Sequence, residues 1–152
     1  MKKTAWILGA LLVAVLAATS VQAHHSFSMF DRDREEVVRG EVVRWAFNSP
    51  HVIMYLRDAE GTVWGFEGAA PPAVLGRAPS ANGFTFQPGQ EVTMIHCPLH
   101  DGRSGGAIGR VVTADGTWYN PSDGGCGVQE DDWRVWLDAG YMSKAEAEGA
   151  GD

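Results

Sequence analysis

The densest concentration of potential chemistry in the chain is His24-His25-Ser26-Phe27. A leader cut just before His24 would make it the first residue of the mature protein. A first-position histidine can offer its α-amine and its Nδ1 to one ion, closing a six-membered chelate ring that no internal histidine forms. His25 adds a second imidazole, and His51, which follows Asn48-Ser49-Pro50, adds a third. Three imidazoles and an amine suit Cu(II), which favours tetragonal nitrogen ligation, better than a hard oxygen-seeking ion. The expected metal ligands are therefore His24, His25 and His51. They would form a T-shaped brace from the His24 amine, the His24 ring and one further imidazole. The bland alternative is an exposed terminal tip and a turn histidine bonded to backbone. A histidine at position two of any free terminus also binds Cu(II) through amine, amide and ring without a fold, so copper affinity alone would not establish a site.

Other reactive side chains are more scattered. His96 and His100 flank Cys97-Pro98-Leu99 and could form a second soft-ligand site, but His96 shares a strand face with Val92 and Met94 and reads as a satisfied histidine at the core edge. Met29 offers a weak axial thioether. Ser26 beside His25, and Ser104 in a Gly-rich loop, have no convincing base. The glycines from 102 to 106 lack the Lys and the strand-to-helix setting of a phosphate loop. No catalytic residue is assigned.

Residues 1–23 have the three parts of a secretory signal: Lys2 and Lys3, an apolar run from Ala5 to Ala18, and Val21-Gln22-Ala23 before the cut. The apolar run is short of the roughly 20 residues that span a bilayer, so a retained anchor is the weaker reading. Cleavage after Ala23 would leave 129 of the 152 residues, enough for one domain, in the periplasm with no remaining membrane span. Both leader charges are Lys and none is acidic, so the mature chain keeps 10 basic against 19 acidic residues, a net charge of −9. Nucleic acid is a poor partner for such a surface, whereas a metal ion, a small ligand or another envelope protein fits better. Cys97 and Cys126 are expected to form a disulfide in an oxidising compartment, with free thiols or a copper-thiolate pair as the alternatives.

The elements that must position these groups are mainly strands. Val37 to Phe47 reads as a long strand with a bulge at Gly40, and His51 to Arg57 as a second with Val52, Met54 and Leu56 on one face. Asp58 to Gly61 should turn that strand into Thr62 to Glu67 as a hairpin. Pro71 to Gly76 suits a short helical turn. Gln90 to Cys97 is a fourth strand, His100 to Gly106 a turn-rich loop, and Ala107 to Thr113 a fifth strand. Trp45, Trp64 and Phe66 fall at strand positions that suit a core. Trp133, Trp136, Leu137 and Tyr141 recur at helical spacing, with Asp131 and Asp132 at the start and Gly140 near the end. They predict an amphipathic helix packed on the strands, or else a binding aromatic patch. Lys144 to Asp152 reads as a frayed tail. Five short strands with one helical turn between the third and fourth predict an all-β, five-stranded Greek-key barrel of the oligonucleotide/oligosaccharide-binding (OB) type with a short C-terminal helix; a small sandwich is the rival. The expected division is a leader at 1–23, the barrel at 24–127 and a Trp-containing helix and tail at 128–152.

The leader, His24-His25-Ser26-Phe27, Phe30-Asp31, Gly40-Glu41-Val42, Asn48-Ser49-Pro50-His51, Gly89-Gln90-Glu91-Val92 and Asp101-Gly102 together resemble an exported bacterial family of unknown function, domain-of-unknown-function family six-one-five-two. The family's Asn-Pro-His stands here with Ser49 inserted. The resemblance runs from the leader to about Trp118 and implies export and an OB-like β fold, without an activity.

Two readings follow: a periplasmic barrel binding copper through its terminal histidine, and a metal-free barrel binding a small molecule or an envelope partner. An oxidative copper enzyme would need an extended flat aromatic surface for a polymer substrate, which the sequence does not suggest. The intact mass of exported protein is expected to match a chain starting at His24. A start two or more residues away would remove the terminal chelate ring.

Overall fold

A computed structural model describes residues 27–124, 126 and 132–151. The leader, His24, His25 and Asp131 lie outside the described residues. After a 3₁₀ turn at Phe27–Met29 come β1 (Glu36–Ala46), β2 (Ile53–Arg57), β3 (Val63–Glu67), α1 (Pro71–Leu75), β4 (Glu91–Pro98), β5 (Gly105–Thr113), β6 (Trp118–Tyr119), α2 (Asp132–Asp138) and α3 (Lys144–Gly149). The sheet order is β3-β2-β1-β4-β5-β6, and an additional parallel pairing of β3 with β5 closes the first five strands into a barrel. This is the expected Greek-key barrel, with α1 between β3 and β4. Among the described residues no helix is long and apolar enough to cross a membrane.

β1 can serve two neighbours because it bends. Its first half, from Glu36 to Glu41, pairs with β4, and its second half, from Glu41 to Ala46, pairs with β2. The bulge expected at Gly40 lies instead between Val42 and Arg44, where β1 has an extra residue against β2. Gly40 has a different duty: a Cβ there would stand 2.3 Å from the Arg57 carbonyl oxygen, so only glycine lets the end of β2 pass this close. The hairpin between β2 and β3 forms as expected and places Ile53 opposite Glu67.

The barrel interior is filled from alternate strand positions. Val42, Met54, Leu56, Phe66, Met94, Ile108 and Val111 are fully buried there. Each such aliphatic or aromatic side chain contributes about 1.5–3 kcal/mol through its removal from water. Trp45 is buried, and Trp64 is partly buried against this core. Their indole N–H groups donate to the Asn82 carbonyl at 2.8 Å and to Asp58 at 2.7 Å.

β4 is covered on both faces. Outside the barrel, Ile95 and Cys97 join Phe30, Val37, Ala107, Cys126, Trp133 and Trp136 in a second core. Trp133 and Trp136 thus pack as the bland helical reading expects, and Trp118 meets Trp133 edge to face at 6.0 Å. Gly140, at φ 92°, ends α2: its N–H donates to the Leu137 carbonyl while Tyr141 N–H donates to that of Trp136, a Schellman closure. Cys97 and Cys126 are disulfide-bonded, which ties the Gly-rich segment to β4. Closing a 29-residue separation is worth about 3–4 kcal/mol in the chain-entropy model.

Two segments differ from expectation. Gly105 and Gly106 belong to β5, not to the preceding loop. The segment read as a frayed tail contains α3, capped by the Ser143 side chain, which accepts from Glu146 N–H at 3.1 Å. Glu146 reaches back to the Met142 N–H at 2.9 Å, and the Glu35 carbonyl accepts from Lys144 N–H at 3.0 Å.

A Cβ at Gly106 would lie 2.2 Å from the Cys97 carbonyl oxygen, whereas one at Gly149 meets nothing within 4 Å. Gly106→Ala is therefore expected to lower stability by about 3 kcal/mol. Gly149→Ala should be neutral or slightly stabilising. Denaturant unfolding of the two variants checks the contrast.

Candidate functional site

One end of the barrel gathers the loop before β2, the end of β3 and the segment after β6. His51 sits in the first of these, with its side chain about one quarter exposed. Its Nδ1 pairs with the Glu67 carboxylate, and its Nε2 stands 3.8 Å from Asp123 Oδ2. Sheet register places Glu67: it lies opposite Ile53 in β2 and Ala107 in β5, on the outward face. Asp123 is placed by a braced turn in which the Asn120 side chain accepts from Ser122 Oγ at 2.8 Å and from Arg77 at 3.2 Å. The Pro121 carbonyl accepts from Ala69 N–H at 2.7 Å, an approach open because Gly68 has no Cβ to meet that oxygen. Burial lowers the pKa of Arg77, and the Asp123 charge opposes that shift.

A carboxylate on one ring nitrogen fixes a histidine's orientation and raises the basicity of the other nitrogen. The same arrangement supports ligation or proton transfer at Nε2. Among the described residues, no three His, Cys, Asp or Glu side chains are grouped closely enough to hold a metal ion. His51 is thus the one expected ligand whose position is described, and it stands in a carboxylate pair rather than in a completed site. Neither Glu67 nor Asp123 was singled out from the sequence. Glu67 was legible in part, since the β2–β3 hairpin register brings it beside the start of β2. Asp123 was not, because only the tertiary fold brings it to His51.

A groove of about 200 Å³ runs from Glu67 along the barrel wall, lined by Met29, Phe30, Ile53, Tyr55 and Arg103 among others. Its wall is anchored: Phe30 is buried and bridges to Leu99, and the Met29 carbonyl accepts from His100 N–H at 2.9 Å. Tyr55 lies over Gly65, where a Cβ would stand 3.4 Å from its ring.

The second soft-ligand site does not assemble. His96 points into the barrel between Trp64 and Phe66, whereas Cys97 faces the second core and is disulfide-bonded. An oxidised sulfur has no thiolate to offer. His96 is fully buried, and neither ring nitrogen has a hydrogen-bond partner among the described residues, so it is a core histidine without the satisfaction expected of it.

Residues 11–109 match the family described as "Family of unknown function (DUF6152)". The match covers most of the chain, and the protein belongs to that family. Neither a curated protein nor a solved structure matches it.

Burial pulls the His96 pKa down from 6.5 to about 4, against a weaker opposing contribution from the Cys97 backbone. Between these values the unfolded chain takes up a proton that the folded barrel refuses. Stability from this group is therefore complete above pH 6.5 and is lost as pH falls towards 4, by on the order of 3 kcal/mol. His96→Phe should flatten that part of the stability–pH curve, measured as the difference between the two proteins' denaturant midpoints from pH 7 to pH 4.

Proposed function

We propose that the protein is an exported barrel that binds a metal ion, copper above all, with His51 as the ligand positioned by the fold and His24 and His25 as the terminal ligands. The carrying observation is the pairing of His51 Nδ1 with Glu67 beside a groove that Met29 also lines. Carboxylate-oriented imidazole is the usual state of a metal-ligating histidine. Met29 is five residues after His24, a reach of at most roughly 18 Å of extended chain. The terminal amine, the His24 ring and the His51 ring would supply the nitrogen-rich set that Cu(II) favours. Export through the leader places the site in the periplasm and generates the terminal amine.

The groove itself favours a second reading. Ile53, Tyr55 and Met29 give it apolar walls, with Glu67 and Arg103 as polar contacts, which suits a small molecule or a segment of an envelope protein without any metal.

Copper titration of correctly processed protein separates the two. His51→Ala is expected to weaken Cu(II) binding at least tenfold, about 1.4 kcal/mol, and to change the copper spectrum. Glu67→Gln should weaken it less, because the ring stays and only its orientation relaxes. A peptide copying the first six mature residues should give a different spectrum from the protein. If His51→Ala changes neither affinity nor spectrum while the peptide reproduces the protein's signal, the copper is bound by terminal peptide chemistry and the metal-free reading stands.

A further inference from the structure

The chain has three asparagines, and the residue after each decides what its side chain can do. Asn120 precedes Pro121, whose nitrogen carries no proton, and Asn48 precedes Ser49, whose side chain crowds the amide between them. Asn82 precedes Gly83, which has no side chain, and both are exposed on the loop between α1 and β4. Asn82 is nevertheless firmly held. Its Oδ1 accepts from Phe84 N–H at 2.8 Å, and its own N–H donates to Thr85 Oγ1 at 2.8 Å. Its carbonyl oxygen accepts twice, from the indole of buried Trp45 at 2.8 Å and from Thr85 N–H at 3.1 Å.

We propose that Asn82-Gly83 is a self-modifying site, where the loop promotes deamidation of Asn82 through a cyclic succinimide. The Gly83 nitrogen, after losing its proton to the solvent, attacks Cγ of Asn82. The N–Cγ bond forms, the Cγ–Nδ2 bond breaks, and the side-chain nitrogen leaves as ammonia with a proton taken back from the solvent. Water then adds to one of the two ring carbonyls and opens the ring, leaving an aspartate or an isoaspartate. In sum, one amide and one water become a carboxylate and an ammonium ion, with no oxidant or reductant. Each contact of Asn82 has a part in this. Negative charge develops on Oδ1 during the attack, and the Phe84 N–H already donates to that oxygen, as a donor in an oxyanion hole does. The same bond holds the side chain against the backbone that follows it, so less orientation remains to be achieved on ring closure. The two donors on the Asn82 carbonyl draw electron density from the peptide that joins it to Gly83, which makes the Gly83 N–H easier to deprotonate.

The product changes the character of the loop. Residues 68–90 include one charged side chain, Arg77, and no acidic residue. Phe84, two residues beyond Asn82, is 86% exposed. Deamidation therefore places the first carboxylate of this stretch beside a bare aromatic ring. In the isoaspartate the chain also runs through the former side chain, which lengthens the backbone by one atom at the residue that anchors Trp45.

The test is peptide mapping by mass spectrometry of the full mature protein during incubation in neutral buffer. Asn82 is expected to be modified several-fold faster than Asn48, with Asn120 unchanged, and its product to divide between aspartate and isoaspartate. Aspartate alone would mean direct hydrolysis and would overturn the succinimide route. A blocked peptide covering residues 79–86 separates the folded loop from its local sequence. The protein should react several-fold faster than this peptide; an equal or slower rate would show that the loop protects the bond, and the proposal would fall. Trp45→Phe, which removes the indole donor and keeps an aromatic ring, should slow the reaction several-fold, and an unchanged rate would count against the polarised peptide. Should Trp45→Phe fail to fold, Gly83→Ala must slow the reaction instead, since its added Cβ would come no nearer than 3.5 Å to Phe47 and is accommodated. No change in that variant would overturn attack by the residue 83 nitrogen.

Discussion

The structure depends on the short parallel seam between β3 and β5. Three residue pairs make it, Gly65 with Gly105, Phe66 with Gly106 and Glu67 with Ala107, and without them the five strands would be an open sheet with two edges. The seam exists only because backbone meets backbone there. A side chain at Gly105 would strike the Gly65 carbonyl at 2.4 Å, while Gly106 is confined from the β4 side, where a side chain would strike the Cys97 carbonyl and the His96 ring. The seam's register then decides everything near it. Phe66 goes into the core and Glu67 goes outward to His51, and a slip of one residue would exchange their faces.

His51 and His96 show how environment separates similar side chains. His51 lies at the barrel end, where a carboxylate holds one nitrogen and water reaches the ring. His96 lies among aromatic rings with no such partner and is kept neutral by burial. One is partly exposed and held between two carboxylates, and the other restricts the conditions under which the barrel persists. Likewise, Glu67 is paired with a histidine, whereas Glu35 sits buried with an oxygen that has no partner among the described residues.

Much of the fold was legible in the sequence, because strand alternation is a local signal. Val52, Met54 and Leu56 are all buried as their spacing requires, and Gly140 closes the helix that the tryptophans outline. The errors arose where the cause is distant in sequence. Gly105-Gly106 reads locally as a turn, yet it is glycine because residues 65 and 97 press on it. Gly40 reads as a bulge, yet it answers to Arg57. α3 carries a legible start signal, Ser143 followed three residues later by Glu146, but it is short and polar, and its docking on Glu35 could not be read locally. For the site, residue type nominated His51, while its two acidic partners needed the barrel to bring them near.

The bridge between Glu36 and Ser143 joins positions more than a hundred residues apart. Contacts of such span are reached late in folding, since the intervening chain must first be ordered before closure is rewarded. The barrel can close from contacts that lie nearer in the chain. The layer of Trp133 and Trp136 over β4 depends on the last part of the polypeptide. The outer coat thus carries a larger loop-closure cost than the strand pairings beneath it.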